Sequence, residues 1–91
     1  MSRKRDKRTE LVISQINSKK TFWIKELRDL LKCERGDANH NRICTIIYRL
    51  KNLENIKNIQ KDGRELKYSV IRKTTIDEFY NAKHSQQYII Q

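Results

Sequence analysis

The 91-residue sequence predicts a mainly α domain carrying a small β-hairpin, with one more helix at its C-terminal end. Three observations predict it. Apolar residues recur at three- and four-residue intervals between positions 9 and 55, the period of helices with one buried face. Two alternating stretches, IKNIQK at 56–61 and RELKYSV at 64–70, are joined by Asp62-Gly63, a pair suited to the positive φ of tight hairpin turns. The chain has no proline and only two glycines, so nothing interrupts its helices. At this length it buries one modest core, which argues against a multi-domain enzyme.

Residues 1–8, MSRKRDKR, show no apolar period and read as a basic arm. Val12 and Ile16 lie one turn apart, with Leu11 and Ile13 beside them, and define a first helix from Thr9 to about Ser18. KKTFW at 19–23 turns polar residues into β-branched and aromatic ones and fits a very short strand. Ile24, Leu27, Leu30 and Leu31 define a second helix to about Cys33, with Glu26 and Asp29 in its first half and Lys32 at its end, as the helix dipole favours. Phe22 fits the core between helices. Trp23 fits either the core or the surface. Gly36 marks a turn and Asp37 a helix N-cap. Ile43, Ile46, Ile47, Leu50 and Leu53 form one stripe of a third, longer helix from Ala38 to about Asn55. In the hairpin, a two-residue Asp62-Gly63 turn sets Ile59 opposite Leu66 and brings Lys61 and Arg64 together at the tip. Thr75-Ile76-Asp77-Glu78 has capping-box form and opens a terminal helix to about Tyr88.

Charge narrows the function classes. The net charge is +10, and it is segregated: +5 over residues 1–20, zero over 21–38, +6 over 39–73 and −1 over 74–91. Such an imbalance costs self-repulsion, which a polyanion relieves. No apolar run reaches the ~18 residues of a membrane span, and no apolar stretch follows the basic N-terminus, so a cytoplasmic protein without a membrane partner is expected.

The quoted order of elements, with TFWIKELRDLL at 21–31, the Gly36 turn, NRICTIIYRLKNLENI at 41–56 and the hairpin to Ile71, resembles the winged helix-turn-helix DNA-binding family. In that family an I-x-E-L-x-x-L segment, here Ile24 to Leu30, forms the first helix of the helix-turn-helix. A pattern like L-x-x-L-E followed by isoleucine, here Leu50, Leu53, Glu54 and Ile59, closes the recognition helix and opens the wing. The resemblance spans residues 9–72. The turn KCERGDANHN is longer than the usual three or four residues. The resemblance implies an arm at 1–8, a winged-helix domain at 9–73 and a C-terminal helix within 74–91. It also implies a sequence-specific double-stranded DNA binder, repressor-like, of phage, viral, plasmid or prokaryotic type. Winged helices also serve as adaptors, so the alternative is a module that binds an acidic protein. A reader of left-handed DNA or RNA duplexes fits poorly, because Cys44 stands where asparagine is expected and the wing lacks proline and tryptophan.

On the third helix, Asn41, Arg42, Thr45, Arg49 and Asn52 lie away from the apolar stripe and are the candidate base readers. Asparagine suits an adenine edge, arginine a guanine edge and threonine a thymine methyl. Tyr48, Lys57, Lys61, Arg64 and Lys67, with Arg3 and Arg5 of the arm, are the candidate phosphate contacts. The C-terminal stripe of Ile76, Phe79, Tyr80, Tyr88, Ile89 and Ile90 is expected to pair two copies in a homodimer, which sets half-sites one helical turn, ~34 Å, apart.

Cys33, His40 and Cys44 lack paired zinc-ligand spacing, so no metal is expected. Two cysteines are too few for a disulfide framework, and a Cys33–Cys44 bridge is disfavoured in a reducing compartment. His40 and His84 are isolated, and no nucleophile triad, carboxylate pair or glycine-rich phosphate loop appears. Neither enzyme activity nor a cofactor nor a small-molecule ligand is expected.

Overall fold

The computed structural model describes residues 6–81. Helix α1 (Lys7–Asn17) leads through strand β1 (Thr21–Trp23) directly into α2 (Ile24–Leu31), and a turn connects α2 to α3 (Ala38–Asn52). Strands β2 (Ile56–Asp62) and β3 (Glu65–Val70) follow, and residues 76–81 begin a fourth helix, α4. The short strand expected at 19–23 pairs with β3, so the hairpin becomes a three-stranded antiparallel sheet in the order β1-β3-β2.

Local chemistry sets the helix ends. α1 starts at Lys7, two residues earlier than expected, because Asp6 caps it: its carboxylate accepts the Arg8 N–H at 2.8 Å. Lys7 and Arg8 are therefore helical and not part of an arm, while Arg3 and Arg5 lie outside the described residues. The first turn of α2 is closed by Glu26, whose carboxylate accepts the Trp23 N–H at 3.3 Å. Asp37 is the N-cap residue of α3, but its side chain turns back to accept the Glu34 N–H and makes no capping bond. α3 ends at Asn52, short of the expected Asn55, because Glu54 takes a left-handed φ of 62° and reverses the chain.

One core fills the space between helices and sheet. Val12, Ile13 and Ile16 of α1 meet Ile24 and Leu27 of α2 and Ile43, Ile46, Ile47 and Leu50 of α3. The sheet adds Phe22, Ile56 and Tyr68, and the rings of Phe22 and Tyr68 stack at 5.7 Å across the β1–β3 pair. Leu11, expected to widen the α1 stripe, is exposed.

The hairpin differs from the expected register. Asp62 pairs with Glu65, so the turn residues are Gly63-Arg64 and not Asp62-Gly63. Only Gly63, at φ 61°, needs a positive φ, the pattern of a II′ turn with glycine first. This displaces the pairing by two residues and by itself leaves the two faces of β2 unchanged. A bulge between Asn58 and Gln60 then exchanges the faces beyond it, setting Asn58 opposite Tyr68 and Ile56 opposite Val70 on the core side. Ile59 falls in the bulge, exposed and without the expected Leu66 partner, which Lys61 takes instead.

The segment after β3 returns to α1 through Thr74. The Asn17 side chain donates to the Thr74 carbonyl at 2.8 Å and accepts the Thr74 N–H at 2.9 Å. The buried Asn55 side-chain amide donates to the Thr74 hydroxyl at 2.7 Å, and the Asn55 backbone carbonyl accepts the Ile71 N–H at 2.8 Å. α4 then enters the core with Phe79, 1% exposed, while Ile76 packs beside it. Ile76 and Phe79 are thus engaged by their own chain and do not present the free stripe on which pairing of two copies was expected; Tyr88, Ile89 and Ile90 lie outside the described residues.

Thr74→Val leaves the buried Asn55 amide without its acceptor at nearly constant volume. Urea denaturation should show a loss of about 1–3 kcal/mol, whereas Thr75→Val, at an exposed neighbour, should cost under about 1 kcal/mol.

Candidate nucleic-acid interface

The buried stripe of α3 determines what the helix turns outward. Asn41, Thr45, Tyr48 and Asn52 follow one another at four-, three- and four-residue steps, which keeps them on one line opposite Ile43 and Ile47. All four are exposed, Tyr48 by 59%. Among the described residues, the Asn41 and Asn52 side chains make no hydrogen bond, so their amides are open to a partner. The Thr45 hydroxyl is already donated to the Asn41 carbonyl at 3.1 Å, which leaves its methyl as the outward feature. Residues 38–53 include no acidic residue. Lys51, not singled out from the sequence, is also exposed and widens the line toward the hairpin.

On the hairpin side, Tyr48 and Lys51 form a mostly apolar groove of about 210 Å³ with Ile24, Leu66 and Tyr68. The Lys51 ammonium stands 6.0 Å from the centre of the Tyr68 ring. Burial, with a smaller contribution from Cys44, pushes the Tyr68 hydroxyl above its ordinary range.

The hairpin cations divide between two faces. Lys61, opposite Leu66, lies on the sheet face that turns toward α3, and Arg64 occupies the turn; both are exposed. Lys67 alternates with Leu66 and Tyr68 and pairs with Trp23, so these two lie on the outer face. There the ammoniums of Lys67 and Lys25 each stand 5.7 Å from the Trp23 ring centre. Lys57, paired with Ser69, shares that outer face. Of the cations expected to act with α3, the structure therefore places Lys61 and Arg64 on its side or at the tip, and Lys57 and Lys67 away from it.

Arg42 and Arg49 make contacts within the chain that the sequence does not announce. Both flank the outward line on the side away from the hairpin. The Arg42 guanidinium ion-pairs with the Asp6 carboxylate, and that of Arg49 lies 5.0 Å from the Phe79 ring centre. Together with Asn41, Thr45 and Tyr80 they line a polar cleft of about 410 Å³ between α3 and the two ends of the described chain. Burial lowers the pKa of Arg49. These side chains sit at the margin of the apolar stripe, where a cap carboxylate and an aromatic ring from distant segments meet them. Spacing along α3 carries no record of those partners.

Glu65, also missed from the sequence, ties the hairpin to the turn before α3. Its carboxylate accepts hydrogen bonds from Arg28 of α2 and from Arg35 of the connecting turn. Burial by itself would raise its pKa, but the two guanidiniums outweigh this and hold the carboxyl below the ordinary 4.5. Burial, then the same two arginines, lower the pKa of His40. His40 Nε2 lies 3.5 Å from Cys44 Sγ. Burial raises the pKa of the Cys33 thiol, and both cysteines are free. Among the described residues, no three His, Cys, Asp or Glu side chains gather as a metal site.

No family model, curated protein or solved structure matches this chain.

A depressed Glu65 pKa contributes stability that is present above the ordinary carboxyl value and lost as pH falls through the lower folded value. Glu65→Gln should therefore be destabilised at pH 7 by about 1–2 kcal/mol. The gap from wild type should close as chemical denaturation is repeated at pH values falling from 4.5. A gap of constant size from pH 7 to 3 would show that Glu65 acts without its charge.

Proposed function

We propose that this protein is a sequence-specific double-stranded DNA-binding domain of winged-helix type, acting as a small repressor-like regulator of transcription. The observation that carries the reading is the acid-free, outward line Asn41–Thr45–Tyr48–Asn52 beside a hairpin tip that bears Lys61 and Arg64. An α-helix fits the major groove of B-DNA, where asparagine amides match the adenine edge in bidentate fashion and the Thr45 methyl meets thymine. Tyr48 and Lys51, on the hairpin side of the line, reach the phosphates bordering the groove. Lys61 and Arg64 extend the contact along the backbone or into the next minor groove. Glu65, beside the hairpin turn, holds the tip end of the hairpin against α2 and the turn before α3, so helix and tip address the duplex as one unit.

A second reading, an adaptor for an acidic protein, draws on the exposed Tyr48 and the apolar groove beside it. Gel-shift titration with random duplex DNA separates the two, because the adaptor reading predicts no shift at moderate salt.

Site selection from a random duplex pool, followed by affinity measurements on selected and scrambled sites, tests the DNA reading. Asn41→Ala and Asn52→Ala should each lose about 1–3 kcal/mol of discrimination at particular base pairs. Lys61→Ala and Arg64→Ala should weaken every sequence alike and reduce the slope of log K against log salt by about 1. Equal losses on all sequences from both classes would overturn the base-reading assignment.

A further inference from the structure

We propose that the cleft between α3 and the chain's two described ends is a phosphate-binding site, in which Arg42 and Arg49 clamp a single phosphate group. The cleft holds two guanidiniums against one carboxylate, Asp6, which caps α1 through the Arg8 N–H and, among the described residues, ion-pairs with Arg42 alone. Among the described residues Arg49 makes no ion pair; what fixes it is the face of Phe79 at 5.0 Å. A half-buried guanidinium without a counter-charge is costly to maintain, and an anion in the cleft removes that cost. Arg42 retains donor capacity as well, since its buried Nε has no partner while Nη1 serves Asp6. Asn41 lines the same cleft with its side-chain amide unengaged among the described residues.

The donor set favours phosphate over a carboxylate. Two planar forks and an amide, converging from one side of a helix, match an anion with three or four oxygens in a tetrahedral array. Ala38, at the first turn of α3, also lines the cleft and brings the positive end of a fifteen-residue helix toward it. The volume of about 410 Å³ accommodates a phosphate with part of the group it is attached to.

The source of the phosphate is the only part that rests on the DNA-binding reading. The cleft runs alongside the Asn41–Asn52 line on the flank opposite the hairpin. With α3 in the major groove, the tip holds one bordering strand and the cleft takes a phosphate of the other. A free phosphate ester offers the same chemistry.

The test is a ¹H–¹⁵N titration of the full chain with inorganic phosphate, against chloride at matched ionic strength. Saturating shifts of the Arg42 and Arg49 Nε–Hε signals and the Asn41 side-chain amide are expected with phosphate only. Arg49→Met, which keeps the packing on Phe79, should weaken phosphate binding at least about tenfold, and Arg49→Lys should recover part of it. Should Arg49→Met not fold, Arg42→Met reads the same loss. Shifts that do not saturate, that chloride reproduces, or that fall only on the hairpin lysines overturn the proposal. Displacement of bound phosphate by a short duplex assigns the site to the DNA backbone; displacement by a 5′-mononucleotide alone assigns it to a free ester. If neither displaces it, the cleft binds an inorganic ion only and the proposal fails. A chain that does not bind duplex at all still gives a definite result in the phosphate titration, so the two readings fail separately.

Discussion

Three parts of the chain that are far apart in sequence converge on Thr74. Asn17 ends α1, Asn55 follows the reversal after α3, and Thr74 follows the sheet; three side-chain hydrogen bonds to Thr74, one of them fully buried, hold them together. Losing a partner of a buried amide or hydroxyl is costly, so these bonds favour one arrangement of the junction. That arrangement sends α4 back across the domain, seats Phe79 in the core and sets the aromatic wall against which Arg49 lies. The shape of the flank beside α3 therefore depends on a polar contact on a different part of the molecule.

The outward line of α3 sits between two unlike margins. Toward the hairpin the surface is apolar, with Tyr48, Leu66 and Tyr68 in a row, and cations stand at its far end. Toward the terminal segment it is polar and cationic, with the arginines held in place by Asp6 and Phe79. Each margin is tied to the core by buried side chains, Tyr68 on the hairpin side and Phe79 on the other. The +6 of residues 39–73 is thus distributed around α3 and the hairpin, while Glu65 cancels part of the charge at the α2–hairpin junction, where two arginines would otherwise repel.

Much of this architecture was legible in the residues. The apolar stripes of α1, α2 and α3 located all three helices, since burial of one helical face leaves a regular trace in the sequence. The placement of Phe22 in the core and the presence of a hairpin at 56–70 were legible for similar local reasons. The register was not. Asp62-Gly63 fits a turn at its centre as well as one displaced by a residue, and Ile56 joins Tyr68 on the core face only through the bulge at 58–60, which no short-range pattern marks. Leu11, read as part of a stripe, is exposed because the buried face of α1 runs through Thr9, Val12, Ile13 and Ile16, at i, i+3, i+4 and i+7, and leaves position 11 to one side. The intrachain contacts of Arg42 and Arg49 were not legible for another reason: their partners come from residues 6 and 79, and helical periodicity says nothing about which distant segment will cover a margin. Glu65 was overlooked because both of its arginines are thirty or more positions away.

The bulge at residues 58–60 has a further effect that concerns neighbouring molecules. β2 lies at the border of the sheet and offers its unpaired amides and carbonyls to any other extended strand. The extra residue twists that border and breaks the even spacing that a second strand would have to match. β1, at the opposite border, is only three residues long. Copies brought together at high local concentration are thereby hindered from joining border to border into extended β-assemblies.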